Sequence, residues 1–209
     1  MHSDAEGEDR RILVLATGNP DKVRELSELA DGLPVLIRSL ADYPGFPRIA
    51  EDGATAEANA VKKASAAALL TGEWAAADDT ALVVDALGGA PGVHAARYAG
   101  PEGDYEANNR KLLKELSGVP EGERTARFVT AAVLAVPGEA ASIFVGEREG
   151  RVAETPRGRN GFGYDPLFVD AELGRTFAEL APEEKNRISH RARAFEQLFR
   201  HLAEKLEGD

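Results

Sequence analysis

Five apolar residues in a row, Ile12-Leu13-Val14-Leu15-Ala16, stand directly before Thr17-Gly18-Asn19-Pro20. A continuous run without polar alternation reads as a buried strand. The break hands the chain to a helix. Asn19 is a ready N-cap, Pro20 suits the first helical position, and Val23, Leu26, Leu29 and Ala30 share one face.

The rest of the chain continues to mix the two kinds of element. Pro34 to Ile37 reads as a second strand, and residues 41–54, rich in Pro and Gly, as a loop. Thr55 to Leu70 is alanine-rich and predicts a strong helix that stops near Gly72. Trp74-Ala75-Ala76-Ala77 predicts a short buried strand ending in Asp78-Asp79-Thr80, with a Gly/Pro loop at 88–92 beyond it. Tyr105 to Leu116 predicts a helix. Ala126 to Val136 and Ser142 to Glu149 predict a hairpin across Pro137-Gly138, and Pro182 to Glu207 contains a long terminal helix. Such a mixture predicts an α/β (mixed α+β) fold with a cleft between two lobes. Residues 1–11, polar and acidic, read as a disordered lead-in, and 12–209 as one domain.

Charge narrows the function. The chain carries 25 Lys+Arg against 36 Asp+Glu, a net charge of -11, which argues against nucleic-acid and anionic-membrane partners. No apolar run reaches membrane-spanning length and no signal peptide is visible, so a cytoplasmic protein is expected. With no cysteine there is neither a disulfide framework nor a thiolate metal site. Against that acidic background, Lys185, Arg187, His190, Arg191 and Arg193 crowd into nine residues. Cations concentrated this way suggest a discrete anion site. The nearby Gly161-Phe162-Gly163-Tyr164-Asp165-Pro166 loop can admit a flat ring, with Phe162 or Tyr164 stacking and Asp165 accepting from ring N–H groups. The plain alternative there is a turn with a core aromatic.

Other candidates are weaker one by one. Thr17, Gly18 and Asn19 sit at a helix N-terminus with Lys22 one turn on, an arrangement that suits phosphate but also an ordinary capped helix. Asp78 and Asp79 are strand-end carboxylates that suit Mg2+, with Glu51 a possible partner. Only one of the pair should face the cleft unless the strand has ended. Asn59 and Lys63 share a helical face, which favours Lys63 over Lys62 as the inward lysine. Ser189 beside His190 is not a hydrolase pair, because it lacks a nucleophile elbow and helical neighbours diverge.

Taken in order, these segments resemble the inosine triphosphate pyrophosphatase family, the dITP/XTP pyrophosphatases. The matching residues are Leu15-Ala16-Thr17-Gly18-Asn19 with Lys22; Glu51-Asp52-Gly53 with Asn59-Ala60 and Lys63-Ala64; and Ala77-Asp78-Asp79. They continue with Leu87 to Val93 and Ala96-Arg97-Tyr98; Gly161 to Pro166 with Phe168; and Glu184-Lys185 with Ile188 to Arg191. The resemblance implies an elongated mixed central sheet flanked by helices, an active-site cleft between two lobes, and a homodimer. It implies Mg2+-dependent hydrolysis of ITP, dITP or XTP to the monophosphate and pyrophosphate, which clears non-standard purines from the nucleotide pool. It assigns Lys22 and Lys63 to the phosphates with the backbone of residues 17–19, Glu51 and Asp79 to Mg2+, and Asp79 to the attacking water, with Asp78 assisting. Phe162 would stack on the base, Gly163, Tyr164 and Asp165 would shape its pocket, and Lys185, His190 and Arg191 would read the 6-oxo group. Asn59 and Thr80 would complete the substrate contacts.

Some positions depart from the family pattern. Thr80-Ala81 replaces the usual Ser-Gly, which puts the local backbone shape in question. Ala95 replaces a serine, and Ala56 and Ala58 replace an aromatic and a glutamate. A nucleotide-binding sensor without turnover, or a pyrophosphatase for other modified nucleotides, are the rival readings.

Overall fold

The computed structural model describes residues 10–101 and 103–208. The lead-in expected over 1–11 lies mostly outside them, although Arg11 already opens the first strand. Seven strands form one mixed sheet: β1 (Arg11–Leu15), β2 (Val35–Ser39), β3 (Trp74–Val84), β4 (Pro91–Gly92), β5 (Thr125–Ala135), β6 (Ser142–Val152) and β7 (Phe168–Asp170). Their order is β2-β1-β3-β5-β6-β7, with β4 against β3. β1 runs parallel to β2 and β3, and every other pairing is antiparallel. The helices are α1 (Pro20–Leu29), α2 (Ala56–Thr71), α3 (Tyr105–Glu115), α4 (Pro182–Ile188) and α5 (His190–Gly208). None of the helices is long and apolar enough to cross a membrane, among the described residues.

The faces of β3 decide where chemistry can sit. Ala75 and Ala77 join Ala60, Ala64, Ala67 and Ala68 of α2 in one core cluster. Small side chains on both partners let the helix lie close to the sheet. Trp74 and Ala76 face the other way, into a cluster built from Leu26 of α1 and Phe195, Leu198 and Leu202 of α5. A third cluster, around Leu82, Phe128, Phe168 and Phe177, fills the far end of the sheet.

Two sequence expectations are corrected. The strand opened by Trp74 does not end at the aspartates. β3 runs 11 residues, and Asp78 to Val84 stay paired with β5. Aspartate is depleted in strands, so the pair reads as a turn until its buried cationic partners are known. The same finding settles Ala81: it is a regular strand residue opposite Val129, where a Cβ costs nothing. The terminal helix is also two helices. Ser189 turns extended between them, at φ -65° and ψ 157°, and its Oγ accepts from Ala192 N at 3.1 Å. That cap starts α5 at His190 and puts His190 and Arg191 in its first turn. The strand β7 had no counterpart in the sequence reading; three apolar-to-acidic residues carry too little periodicity to announce it.

Candidate active site

Asn19 caps α1 as expected, accepting from Asp21 N at 2.9 Å, while its Nδ2 donates to the hydroxyl of Tyr105 at 2.8 Å. Thr17, Gly18 and Asn19 line a groove of about 1200 Å³ whose other wall is the 40–52 loop, with Glu51, Lys63 and Arg97 on its floor. Next to it is a tighter cavity of about 100 Å³. Lys22, Asp79, Thr80, Phe162, Lys185 and Arg191 are among its walls, with Gly163, Tyr164, Asp165 and His190. Asn19 borders both spaces.

Mid-strand alternation sends the two aspartates apart. Asp79 shares the α2 side. Its Oδ2 accepts from Asn59 Nδ2 at 2.9 Å, and its Oδ1 lies 3.8 Å from Lys63 Nζ. Lys63 Nζ donates to Glu51 Oε1 and to the Asp78 carbonyl, each at 2.7 Å. Lys62 points outward to Asp52. Asn59 is fully buried and uses its oxygen on Gly53 N at 2.7 Å, so it holds Asp79 in place and does not line either space. Asp78 faces α5 and is fully buried. It accepts from Lys22 Nζ at 2.8 Å and Arg191 Nε at 3.2 Å.

The opposite end is held by a second set of ion pairs. Arg191 Nη1 reaches Glu25 Oε2 at 2.6 Å, and Lys185 Nζ reaches Glu25 Oε1 at 3.2 Å and Asp165 Oδ2 at 2.7 Å. Asp165 Oδ2 also accepts from Phe162 N at 2.9 Å. This bond closes the aromatic loop. Gly161 sits at φ +72°, and a Cβ there would fall 2.0 Å from Asp165 Oδ2, so only glycine fits. The Phe162 ring is flanked by Tyr105, 6.0 Å away, and by the Lys185 and Arg191 cations at 4.9 and 5.4 Å. Tyr164 is buried and donates to the Ala95 carbonyl at 2.9 Å, so it forms wall and not contact.

Burial and charge pull these groups in opposite directions. Burial alone would raise the Asp78 carboxyl, but the attraction of Lys22, Arg191 and Lys63 wins and holds it well below the usual range. Glu25 is likewise lowered: burial opposes, and Arg191 with Lys185 prevail. Asp79 goes the other way, because burial outweighs the pull of Lys63 and Lys22. Asp165 is also raised by burial, against Lys185. Lys63 is raised despite burial, by Asp78, Asp79 and Glu51. His190, buried beside Arg191 and Lys185, is pushed well below its ordinary value and is neutral.

Sequence reasoning missed Glu25, Tyr105 and Arg97 as site residues. Glu25 had a signal, since it lies three residues from Lys22 on the helical face that also carries Leu26 and Leu29. Arg97 had none beyond its place in a matching segment, and Tyr105 none beyond its place at the start of a predicted helix. Arg97 Nη2 donates to the Glu51 carbonyl at 2.8 Å.

Residues 13–201 match the Ham1 family. The chain belongs to the Ham1 family. It is 54% identical over 190 residues to the dITP/XTP pyrophosphatase of Geobacter sulfurreducens, covering 91% of this chain and 96% of that protein. It is 50% identical to the dITP/XTP pyrophosphatase of Geobacillus kaustophilus, covering 94% and 96%. A Ham1 protein structure from Coxiella burnetii superposes with a TM-score of 0.83 at 41% identity, over 93% of this chain and 99% of that one. The family resemblance read from the motifs and the mixed fold are therefore borne out.

The Mg2+ that the resemblance implies can be tested against the residues. Five cations (Lys22, Lys63, Arg97, Lys185, Arg191) face five carboxylates (Glu25, Glu51, Asp78, Asp79, Asp165), so the site is formally neutral. A triphosphate of charge about -4 therefore needs further positive charge to enter. Among the described residues no group of three or more acidic or histidine side chains could hold an ion unaided. Glu51 and Asp79 converge on the Lys63 ammonium, and two carboxylates completed by substrate phosphates are what Mg2+ accepts. The residues fit the ion.

Proposed function

We propose that the chain hydrolyses dITP, ITP and XTP to the nucleoside monophosphate and pyrophosphate, with residues 12–209 acting as one two-lobed catalytic domain. The observation that carries this reading is the contiguity of two unlike sites. A carboxylate–lysine cluster at Glu51, Lys63 and Asp79 opens onto an aromatic, cation-rimmed cavity at Phe162, Lys185, His190 and Arg191. One suits a triphosphate and the other a flat base. The identity to two dITP/XTP pyrophosphatases supports the same substrates.

In this reading Thr17 to Asn19, Lys22 and Lys63 bind the phosphates. Glu51 and Asp79 would hold Mg2+, which would supply charge neutralisation for the triphosphate. Asp79 takes the proton of the attacking water; of the adjacent pair it is the one that lines the cavity, whereas Asp78 is sealed by Lys22 and Arg191. Asp78 assists by fixing Lys22 and Arg191. Phe162 stacks on the base, and Lys185, His190 and Arg191 select a 6-oxo ring, where a 6-amino group would set donor against donor. A homodimer and a cytoplasmic location belong to the same proposal.

The test is pyrophosphate release with Mg2+, comparing ITP and XTP with ATP and GTP. Strong release from the first pair and little from the second is expected. Equal release from all four would remove the base pocket from the reading, and none from any would favour a sensor.

A further inference from the structure

Thr130 belongs to no motif of the sequence reading. It lies on β5 directly opposite Thr80 of β3 and is fully buried. Its Oγ1 is 2.7 Å from Thr80 Oγ1 and 2.6 Å from His190 Nδ1. The direction of the protons in this chain follows from its ends. Arg191 has only donors, and its Nη2 reaches Thr80 Oγ1 at 3.4 Å. Asp78 Oδ2 is also within reach of the Thr80 hydroxyl, but at 3.4 Å, beyond the usual length of an O–H···O bond. The short partner left for the Thr80 proton is Thr130. Thr130 then accepts from Thr80 and has one proton of its own, which goes to His190 Nδ1. A neutral imidazole whose Nδ1 accepts carries its proton on Nε2. The ring is held in its plane by Phe128, 4.4 Å away, and His190 lines the tight cavity beside Phe162.

We propose that Thr130, with Thr80, is a positioning residue that fixes the Nε2–H tautomer of His190 and thereby sets the preference for a 6-oxo over a 6-amino purine. The selectivity half rests on the functional reading above; the tautomer half does not. With Nε2 protonated, His190 presents a donor, which a ring carbonyl satisfies and an exocyclic amine opposes. With the relay reversed, Nε2 would accept and the preference would weaken. This also gives Thr80, itself a wall of the cavity, a second role through the histidine.

The experiment uses the full chain labelled with 15N-histidine, the His190 signals being assigned by their loss in His190→Gln. Wild type is expected to show a protonated Nε2 and an unprotonated Nδ1. Thr130→Val, which keeps the shape and removes the hydroxyl, is expected to mix the tautomers and to lower the ITP-to-ATP ratio of kcat/KM about tenfold. Thr130→Ser should restore both. A wild-type histidine protonated at Nδ1 overturns the relay even if Thr130→Val does not fold. An unchanged spectrum and unchanged ratio in Thr130→Val overturn it as well. A shifted tautomer in a protein with no ITP turnover upholds the relay and overturns the selectivity together with the functional reading.

Discussion

Asp78 and Asp79 are neighbours in sequence and opposites in environment. Asp78 is sealed between Lys22 and Arg191, whereas Asp79 keeps an oxygen toward Lys63 and lines the cavity. The same substitution should therefore do different things at the two positions. Asp79→Asn is expected to reduce kcat at least about 100-fold, by removing the base, while leaving the thermal midpoint near wild type. Asp78→Asn is expected to lose about 3–5 kcal/mol of stability, because Lys22 and Arg191 stay buried with less to neutralise them. Steady-state turnover and thermal unfolding of the two variants separate the roles. Near-normal turnover in Asp79→Asn would remove Asp79 as the base. The contrast was only half legible in the sequence. Strand alternation said that one aspartate faces the cleft, but which one depends on α2 lying on one side of β3 and α5 on the other. Glu25 shows the same limit: a carboxylate on an apolar helical stripe looks misplaced until Arg191 and Lys185 arrive from residues far along the chain.

At the level of elements, what local signals can specify was readable. Asn19 and Thr55 cap the helices they were placed before or within, and the long hairpin of β5 and β6 forms across residues 136–141. What failed were features set by tertiary partners: the continuation of β3 through two acids, and the break at Ser189. The helix α5 shows how closely such a partner can be fitted. A Cβ on Gly146 of β6 would lie 2.2 Å from the His190 carbonyl oxygen and 2.5 Å from Ala194 N. Both are backbone atoms, so relief requires moving the helix. Gly146→Ala is expected to cost about 1–3 kcal/mol and to displace the first turn of α5, and with it His190 and Arg191. Denaturant unfolding reads the first effect. A rise in KM for ITP in the folded variant reads the second. Wild-type stability and KM together would show that β6 and α5 can separate without consequence.

Across the whole molecule, the buried charges are balanced in a way that gives stability a signature in pH. The lowered carboxyls of Glu25 and Asp78 contribute stability that is present above the ordinary carboxylate value and is lost only as pH falls through their depressed folded values. The raised carboxyls of Asp79 and Asp165 act with the opposite sign, since the folded state binds protons there more readily than the unfolded chain. His190 works in a separate window. Its folded value is depressed by burial next to Arg191 and Lys185, so the unfolded chain takes up a proton near pH 6.5 that the folded protein refuses. Its contribution is therefore intact above about pH 6.5 and declines as pH falls, at up to about 1.4 kcal/mol per unit. The carboxylates cannot imitate that slope, because an ordinary carboxyl is ionised throughout the range and the raised pair changes stability the other way. Urea unfolding of wild type and His190→Gln between pH 5 and 7 isolates it. The wild type should lose stability toward pH 5 by a margin that the variant does not show. Parallel curves would mean that His190 takes up its proton in the fold as readily as in the unfolded chain, and would leave both ring nitrogens donors at pH 5 in a pocket already rimmed by Lys185 and Arg191.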